Sequence, residues 1–173
     1  MIQGKSILMV IAAGKFRDEE LFHTKEVIEQ NGGKVTIAST TIEPVTGMLG
    51  GKAKPDILLS SADPSKYDAV IFVGGGGAQQ YFNDPTAHTL AKKTVEKSRT
   101  LGAICIAPSI LANAGLLKGR KATSFSSEKG NLAKKGADYT GEPVTVDGDI
   151  VTGEGPTAAK KFGAAIVQCL EMK

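Results

Sequence analysis

A chain of 173 residues, with 41% hydrophobic and 23% charged residues, has the composition of one folded domain and not of a disordered or fibrous protein. Its 21 basic and 18 acidic residues give a net charge of +3, and an aromatic content of only 5% argues against a nucleic-acid-binding surface. No apolar run approaches the roughly 20 residues that a membrane-spanning helix needs, and the N-terminus lacks the pattern of a signal peptide. We therefore expect a cytoplasmic protein that binds neither a membrane nor nucleic acid.

The predicted elements alternate between strand and helix from the start of the chain. Residues 7–12 form a continuous apolar run, which is typical of a strand covered on both faces. Residues 18–30 favour a helix, because acidic residues stand at its start and two glycines follow its end. A second strand is predicted at 35–38, an irregular excursion or hairpin at 44–55, and a third buried strand at 67–73.

The second half of the chain continues this alternation. The predicted elements are an amphipathic helix at 86–98, a short strand at 101–104, a helix at 108–115, a hairpin of strands at 143–146 and 150–152, and a final helix from Pro156 to about residue 170. Strands that alternate with helices indicate a mostly parallel sheet with helices on both faces. The sequence therefore predicts an α/β fold, a flavodoxin-like three-layer sandwich, as a single domain over residues 1–173.

Cys105 stands between the strand predicted at 101–104 and a helix whose start is fixed by Pro108. In open α/β sheets ligands bind at the carboxyl ends of the strands, where this turn lies. Such a turn is typical of a nucleophile elbow, in which strained backbone lifts a side chain above the sheet. The N-terminus of the following helix would lower the pKa of the thiol. The alternative is a buried small hydrophobic residue without chemistry.

Four glycines, Gly74–Gly77, end the strand predicted at 67–73. Glycine lets backbone N–H groups approach an anion closely, so this loop could supply half of an oxyanion hole, completed by the amide of Ile106. A phosphate cradle fits less well, because no Gly-x-x-x-x-Gly-Lys-Ser/Thr motif is present and only Gly14 follows the first strand. A flexible turn is the third interpretation.

The remaining titratable groups give weaker signals. Acidic residues 18–20 would ordinarily be surface charges that complement a helix dipole. Cys105 and Cys169 are 64 positions apart without a Cys-x-x-Cys motif, and His23 and His88 are isolated, so no metal site is predicted. Cys169 falls on the apolar stripe of the last helix, where a core position is expected.

The motif Phe-x-Asp-x-Glu-Leu occupies residues 16–21, ahead of the glycine loop and the Ala-Ile-Cys turn. The run Ala-Gly-Leu-Leu-Lys-Gly-Arg-Lys-Ala-Thr follows at 114–123, and Gly-Glu-Gly-Pro precedes the last helix. In this order and spacing, the motifs resemble the ThiJ/PfpI superfamily, which includes intracellular PfpI-type proteases and the Parkinsonism-associated deglycase. The resemblance runs over nearly the whole chain.

The resemblance implies that Cys105 is the reactive cysteine and Glu20 the carboxyl that hydrogen-bonds it, with Gly75 and Ile106 as backbone donors. A protonated Glu20 would support a thiolate, and burial makes that protonation state accessible. The resemblance also implies a homo-oligomer, a dimer or larger, and chemistry without a cofactor. Further possible pocket residues are Gly74, Gly76 and His23, which lies one helical turn beyond Glu20, although an exposed or core histidine is commoner.

Two departures separate this chain from the protease branch of the superfamily. That branch has a histidine directly after the cysteine, where this chain has Ile106, and a glutamate in the glycine loop, where this chain has Gln79. Without them, peptide hydrolysis would lose a general acid–base contribution of about 10²–10⁴-fold. The deglycase-like branch accepts a small apolar residue after the cysteine, but its later histidine is also missing from residues 123–126.

We therefore expect a cysteine-dependent glyoxalase or deglycase that acts on small reactive carbonyls such as methylglyoxal. Cys105 would be its nucleophile, and Glu20 would donate or accept the proton. The alternative is a redox-sensing stress-response protein in which Cys105 is oxidised to a sulfinic acid. A cysteine peptidase or amidase is the third hypothesis, and the departures above argue against it.

Overall fold

The apolar runs of the sequence form the central strands of a seven-stranded sheet in the computed structural model, which describes residues 1–173. The strands are β1 Ser6–Val10, β2 Lys34–Ser39, β3 Val45–Thr46, β4 Lys52–Ala53, β5 Ile57–Leu58, β6 Ala69–Phe72, β7 Thr100–Ile104, β8 Lys121–Ala122, β9 Asp138–Tyr139, β10 Val144–Asp147 and β11 Ile150–Gly153. The helices are α1 Asp18–Gln30, α2 Pro85–Glu96, α3 Pro108–Asn113, α4 Lys129–Lys134 and α5 Ala159–Glu171.

The sheet has the strand order β10-β11-β7-β6-β1-β2-β5. All neighbouring strands pair in parallel except β10, which is antiparallel to β11 through the predicted hairpin. The chain leaves β1 for β2 on one side and later returns to β6 on the other, so the order reverses at β1. Such a switch point places a crevice beyond the carboxyl ends of these strands.

Apolar side chains of β1 divide between the two faces of the sheet. Ile7 and Met9 join a cluster that includes Phe162 of α5, whereas Leu8 and Val10 join the cluster that holds apolar residues of α2 and α3. Because both faces are covered, a strand without polar alternation is stable here. The three layers confirm the predicted flavodoxin-like α/β architecture. None of the helices combines the length and apolar character needed to cross a bilayer.

The longer elements match their predicted positions, and α1 has the predicted bounds. The last helix differs at its start, because Pro156–Ala158 form a 3-10 turn before α5 begins. No sequence pattern predicted β5, the β8–β9 pair or α4. These elements have two to six residues, which is too short for a hydrophobic period to be visible.

Candidate active site

Three turns converge at the carboxyl edge of the sheet. The strands β1, β6 and β7 are neighbours, so the segments that follow them come together. These segments carry the first turn of α1 with Glu20, the glycine loop Gly74–Gly77, and Cys105. The Arg17 N–H donates to the Gly74 carbonyl over 2.9 Å, which fixes the first segment against the second.

Cys105 has the backbone conformation of a nucleophile elbow. Its φ of +67° lies in the left-handed region, which costs a residue with a β-carbon about 1–3 kcal/mol. Two hydrogen bonds hold it there: its N–H donates to the Gly153 carbonyl over 2.9 Å, and its own carbonyl accepts the Phe125 N–H over 2.8 Å. The residue is only 8% exposed, so a reagent must be small to reach its sulfur.

Glu20 is completely buried beside the cysteine. Its Oε1 accepts the Gly74 N–H over 3.0 Å, whereas its Oε2 has no hydrogen-bond partner of good geometry. Burial raises the pKa of Glu20 to about 8, although the nearby Cys105 thiol and the Gly74 N–H favour the ionised carboxylate. Glu20 is therefore protonated at neutral pH and gains a negative charge just above it.

Burial, with a smaller contribution from the charge of Glu20, raises the pKa of the Cys105 thiol to about 12. The backbone N–H groups of Gly75 and Ile106 act in the opposite direction, but burial outweighs them. The expected lowering of the thiol pKa by a helix N-terminus is therefore not found. Because the two groups are coupled, the first proton leaves the pair near the lower of the two values, at about pH 8.

Glycine is required at position 74 because the cysteine and the carboxyl approach each other across it. A β-carbon there would lie 2.5 Å from the Cys105 β-carbon and 2.5 Å from Glu20 Oε1. At Gly75 the reason is different, since its φ of +100° is a conformation that side chains rarely adopt. The loop thus lets Cys105 and Glu20 approach its backbone closely, whereas its role as half of an oxyanion hole stays a prediction.

Changing Gly74 to alanine is expected to lower the free energy of unfolding by about 1–3 kcal/mol, because the new methyl group must displace Cys105 or Glu20. Urea denaturation would measure the change. Gly130→Ala is the matched control, because a β-carbon at Gly130 meets no atom within 4 Å. Equal stability of the two variants would contradict the close packing at Gly74.

Asp18 has a role that its place at the start of a helix does not predict. It is 8% exposed, and its carboxylate accepts the N–H groups of Leu49 and Gly51 over 2.9 and 2.7 Å. It therefore tethers the loop between β3 and β4 and is not simply a surface charge. This loop also reaches the site, because Met48 Sδ accepts the Gly76 N–H over 3.4 Å. Only the Asp in the Phe-x-Asp-x-Glu-Leu motif hinted at this tether.

Other polar residues border the pair or lie apart from it. Arg17 makes a bidentate ion pair with Glu19, with distances of 2.9 and 3.1 Å, and its charge acts on both Cys105 and Glu20. The hydrogen bond from Arg17 is the main cause of the lowered pKa of Glu19, and His23 contributes less. His23 forms no hydrogen bond with Cys105, so its place in the pocket stays a prediction.

The remaining histidine and cysteine take no part in the cysteine–carboxyl pair. Nε2 of His88 lies 2.8 Å from the Phe82 carbonyl. Cys169 is half-buried and packs against the core cluster that contains Phe162, as its place on the apolar stripe predicted. Burial raises the pKa of the Cys169 thiol, with a further contribution from the charge of Asp149.

Comparison with known proteins places this arrangement among related chains. An uncharacterized protein of Methanocaldococcus jannaschii is 39% identical over 98% of this chain and 84% of its own length. A deglycase of Pyrococcus horikoshii is 30% identical over 86% of this chain and 90% of its own length. A glutathione-independent glyoxalase of Caenorhabditis elegans is 28% identical over 99% of this chain and 91% of its own length.

Solved structures share the fold of this chain. A ThiJ/PfpI domain protein from Brachyspira murdochii superposes with a TM-score of 0.95 at 35% identity, covering 98% of this chain and 99% of that one. DJ-1beta of Drosophila melanogaster superposes with a TM-score of 0.89 at 29% identity, covering 98% and 91% of the two chains. The model of the DJ-1/PfpI family matches residues 5–169. The motif order, the fold and this match confirm the ThiJ/PfpI resemblance, and the chain belongs to the DJ-1/PfpI family.

Proposed function

We propose that this protein is a cysteine-dependent glyoxalase or deglycase that acts on small 1,2-dicarbonyl compounds such as methylglyoxal. The observation that supports it best is the buried pair of Cys105 and Glu20, which approach each other across Gly74 at the carboxyl edge of the sheet. Relatives named as a deglycase and as a glutathione-independent glyoxalase support the same proposal. Restricted access to the sulfur favours a small substrate over a folded protein.

The proposed reaction begins with addition of the Cys105 sulfur to the aldehyde carbon. The thiol proton passes to the Glu20 carboxylate as the carbon–sulfur bond forms, and the new oxyanion accepts hydrogen bonds from the amides of Gly75 and Ile106. A proton then moves from the former aldehyde carbon to the neighbouring carbon by way of an enediol, which yields a thioester. Water hydrolyses that thioester and restores the thiol. The sum is methylglyoxal plus water to lactic acid, so no external oxidant, reductant or cofactor enters.

The pKa values favour this reaction over the redox alternative. Oxidation of a cysteine begins from its thiolate, and burial holds the pKa of the Cys105 thiol far above neutrality. Addition to a carbonyl does not need a preformed thiolate, because an ionised Glu20, which forms as the pH approaches about 8, can accept the thiol proton during attack. Peptide hydrolysis lacks the histidine that the protease branch places at the position of Ile106. A homo-oligomer stays a prediction.

The test is to incubate the purified protein with methylglyoxal and to measure lactate by chromatography. We expect Cys105-dependent lactate formation, and intact-mass spectrometry of the same sample should show Cys105 without added oxygen. A parallel sample with mild peroxide serves the redox hypothesis. Two oxygens added selectively at Cys105, without lactate formation in the first sample, would contradict the proposed enzyme and support the redox-sensing protein.

A further inference from the structure

One backbone donor beside the site has a weak and displaceable partner. The Gly76 N–H directly follows the Gly75 N–H that acts on the Cys105 sulfur, and successive amide nitrogens lie less than about 4 Å apart. In the free protein the acceptor of the Gly76 N–H is Met48 Sδ, at 3.4 Å. A thioether sulfur is a weak acceptor, so this hydrogen bond is weaker than one to a carbonyl oxygen.

The side chain that caps this donor is free to move. Met48 is 48% exposed, and methionine has three rotatable bonds and no branched carbon. Its backbone, in contrast, is fixed: the Met48 N–H donates to the Phe16 carbonyl over 2.8 Å, and Asp18 holds the flanking Leu49 and Gly51 amides. The tethered loop therefore keeps the Met48 thioether close to the Gly76 N–H. Displacing the thioether requires only rotation about the side-chain bonds of Met48.

We propose that the Gly76 N–H binds the second oxygen of a 1,2-dicarbonyl substrate, which displaces the Met48 thioether from this donor. This inference rests on the proposed function and names a subsite for it. The first oxygen, on the carbon that Cys105 attacks, accepts hydrogen bonds from the N–H groups of Gly75 and Ile106. The neighbouring oxygen then meets the next amide along the loop, so a molecule with two adjacent carbonyls fits better than one with a single carbonyl.

Position 76 allows the N–H to be removed with little change to the backbone. Gly76 begins the 3-10 turn Gly76–Tyr81, a position where proline is tolerated, and the ψ of +161° at Gly75 suits a residue before proline. No atom lies within 4 Å of a β-carbon at position 76. Gly76→Pro thus deletes the donor, and Gly76→Ala is its matched partner that adds a β-carbon but keeps the N–H.

The experiment compares kcat/KM for methylglyoxal between Gly76→Pro and Gly76→Ala. We expect the proline variant to be about tenfold lower, the effect of one lost hydrogen bond to substrate. The rate of Cys105 alkylation by iodoacetamide, which needs no second carbonyl oxygen, should be the same in both variants. Equal kcat/KM values, with turnover intact in the wild type, would overturn the subsite alone. Absence of turnover in the wild type would overturn the proposed function and the subsite together.

Met48→Leu keeps the experiment decisive if proline also slows alkylation. Leucine preserves the apolar volume and removes the sulfur acceptor. The substrate then no longer has to break a hydrogen bond between the Gly76 N–H and the Met48 thioether. We expect Met48→Leu to raise kcat/KM for methylglyoxal on the order of threefold in the wild-type background. In the Gly76→Pro background the same substitution should leave kcat/KM at the value of Gly76→Pro alone. The same rise in both backgrounds would mean that Met48 acts by bulk alone and would overturn the proposal.

Discussion

Replacing Cys105 by alanine is expected to lower methylglyoxal turnover by at least about 10⁴-fold, because no other group at the site can form the thiohemiacetal. Alanine keeps the β-carbon that packs against Gly74, so the elbow geometry and its positive φ are retained. Lactate formation from methylglyoxal, measured at equal concentrations of folded protein, checks the prediction. The circular dichroism spectrum should stay that of the wild type.

Cys169→Ala is the matched control for this experiment. That cysteine is the other free thiol of the chain, and it packs against the core on the last helix, where the charge of Asp149 acts on it. Its loss should leave turnover at the wild-type level. Comparable turnover by the Cys105→Ala and Cys169→Ala variants would place the chemistry on another group, such as a lysine amine, and would contradict the nucleophile assignment.

The sequence was sufficient to predict the central sheet and the turns that carry the site. Continuous apolar runs identify β1 and β6, since both are covered on two faces, and the carboxyl ends of such strands are where ligands bind. The glycine loop follows β6 after one residue, and Cys105 directly follows the neighbouring strand β7. Their proximity is therefore a consequence of parallel pairing and needs no further information.

Two features of the site depend on contacts that local sequence does not encode. Asp18 binds the Leu49 and Gly51 amides 31 and 33 positions away, and nothing in a helix-start acid distinguishes this tether from a surface charge. The direction in which the pKa of the Cys105 thiol shifts depends on how deeply the sulfur is buried. The helix argument alone predicts a decrease, whereas burial and Glu20 produce an increase. Both features require the folded neighbourhood of the residue.

Changing Glu20 to glutamine is expected to lower kcat/KM by about 10²–10⁴-fold, the usual contribution of a general acid–base group. Glutamine has the same shape, and its carbonyl oxygen can still accept the Gly74 N–H that Oε1 accepts now. It cannot accept the thiol proton. The measurement is the rate of lactate formation over a range of pH. A rate close to that of the wild type would mean that Glu20 only fills space.

The pH profile tests the same assignment with a second readout. The reactive form of the pair carries one negative charge, whether the remaining proton is on sulfur or on oxygen. Because burial raises the pKa of Glu20 to about 8, wild-type kcat/KM should rise with pH and level off above about 8. Glu20→Gln should not level off near pH 8, because its residual rate would depend on the Cys105 thiolate, whose pKa burial holds far above that pH. A wild-type kcat/KM that is constant between pH 6 and about 9 would contradict the assignment of Glu20 as the proton acceptor.

The ionisation of Glu20 should also appear in stability, with a definite sign. Its pKa is raised in the folded state to about 8 from an ordinary value of 4.5, so the unfolded chain loses this proton at lower pH than the folded one. The contribution of Glu20 to stability is therefore complete below pH 4.5 and is lost as the pH rises through about 8. Relative to Glu20→Gln, the free energy of unfolding of the wild type should fall by about 1.4 kcal/mol per pH unit inside that window. A difference independent of pH, measured by urea denaturation, would show that the carboxyl is already ionised in the native protein and would remove the physical basis of the alkaline rise in rate.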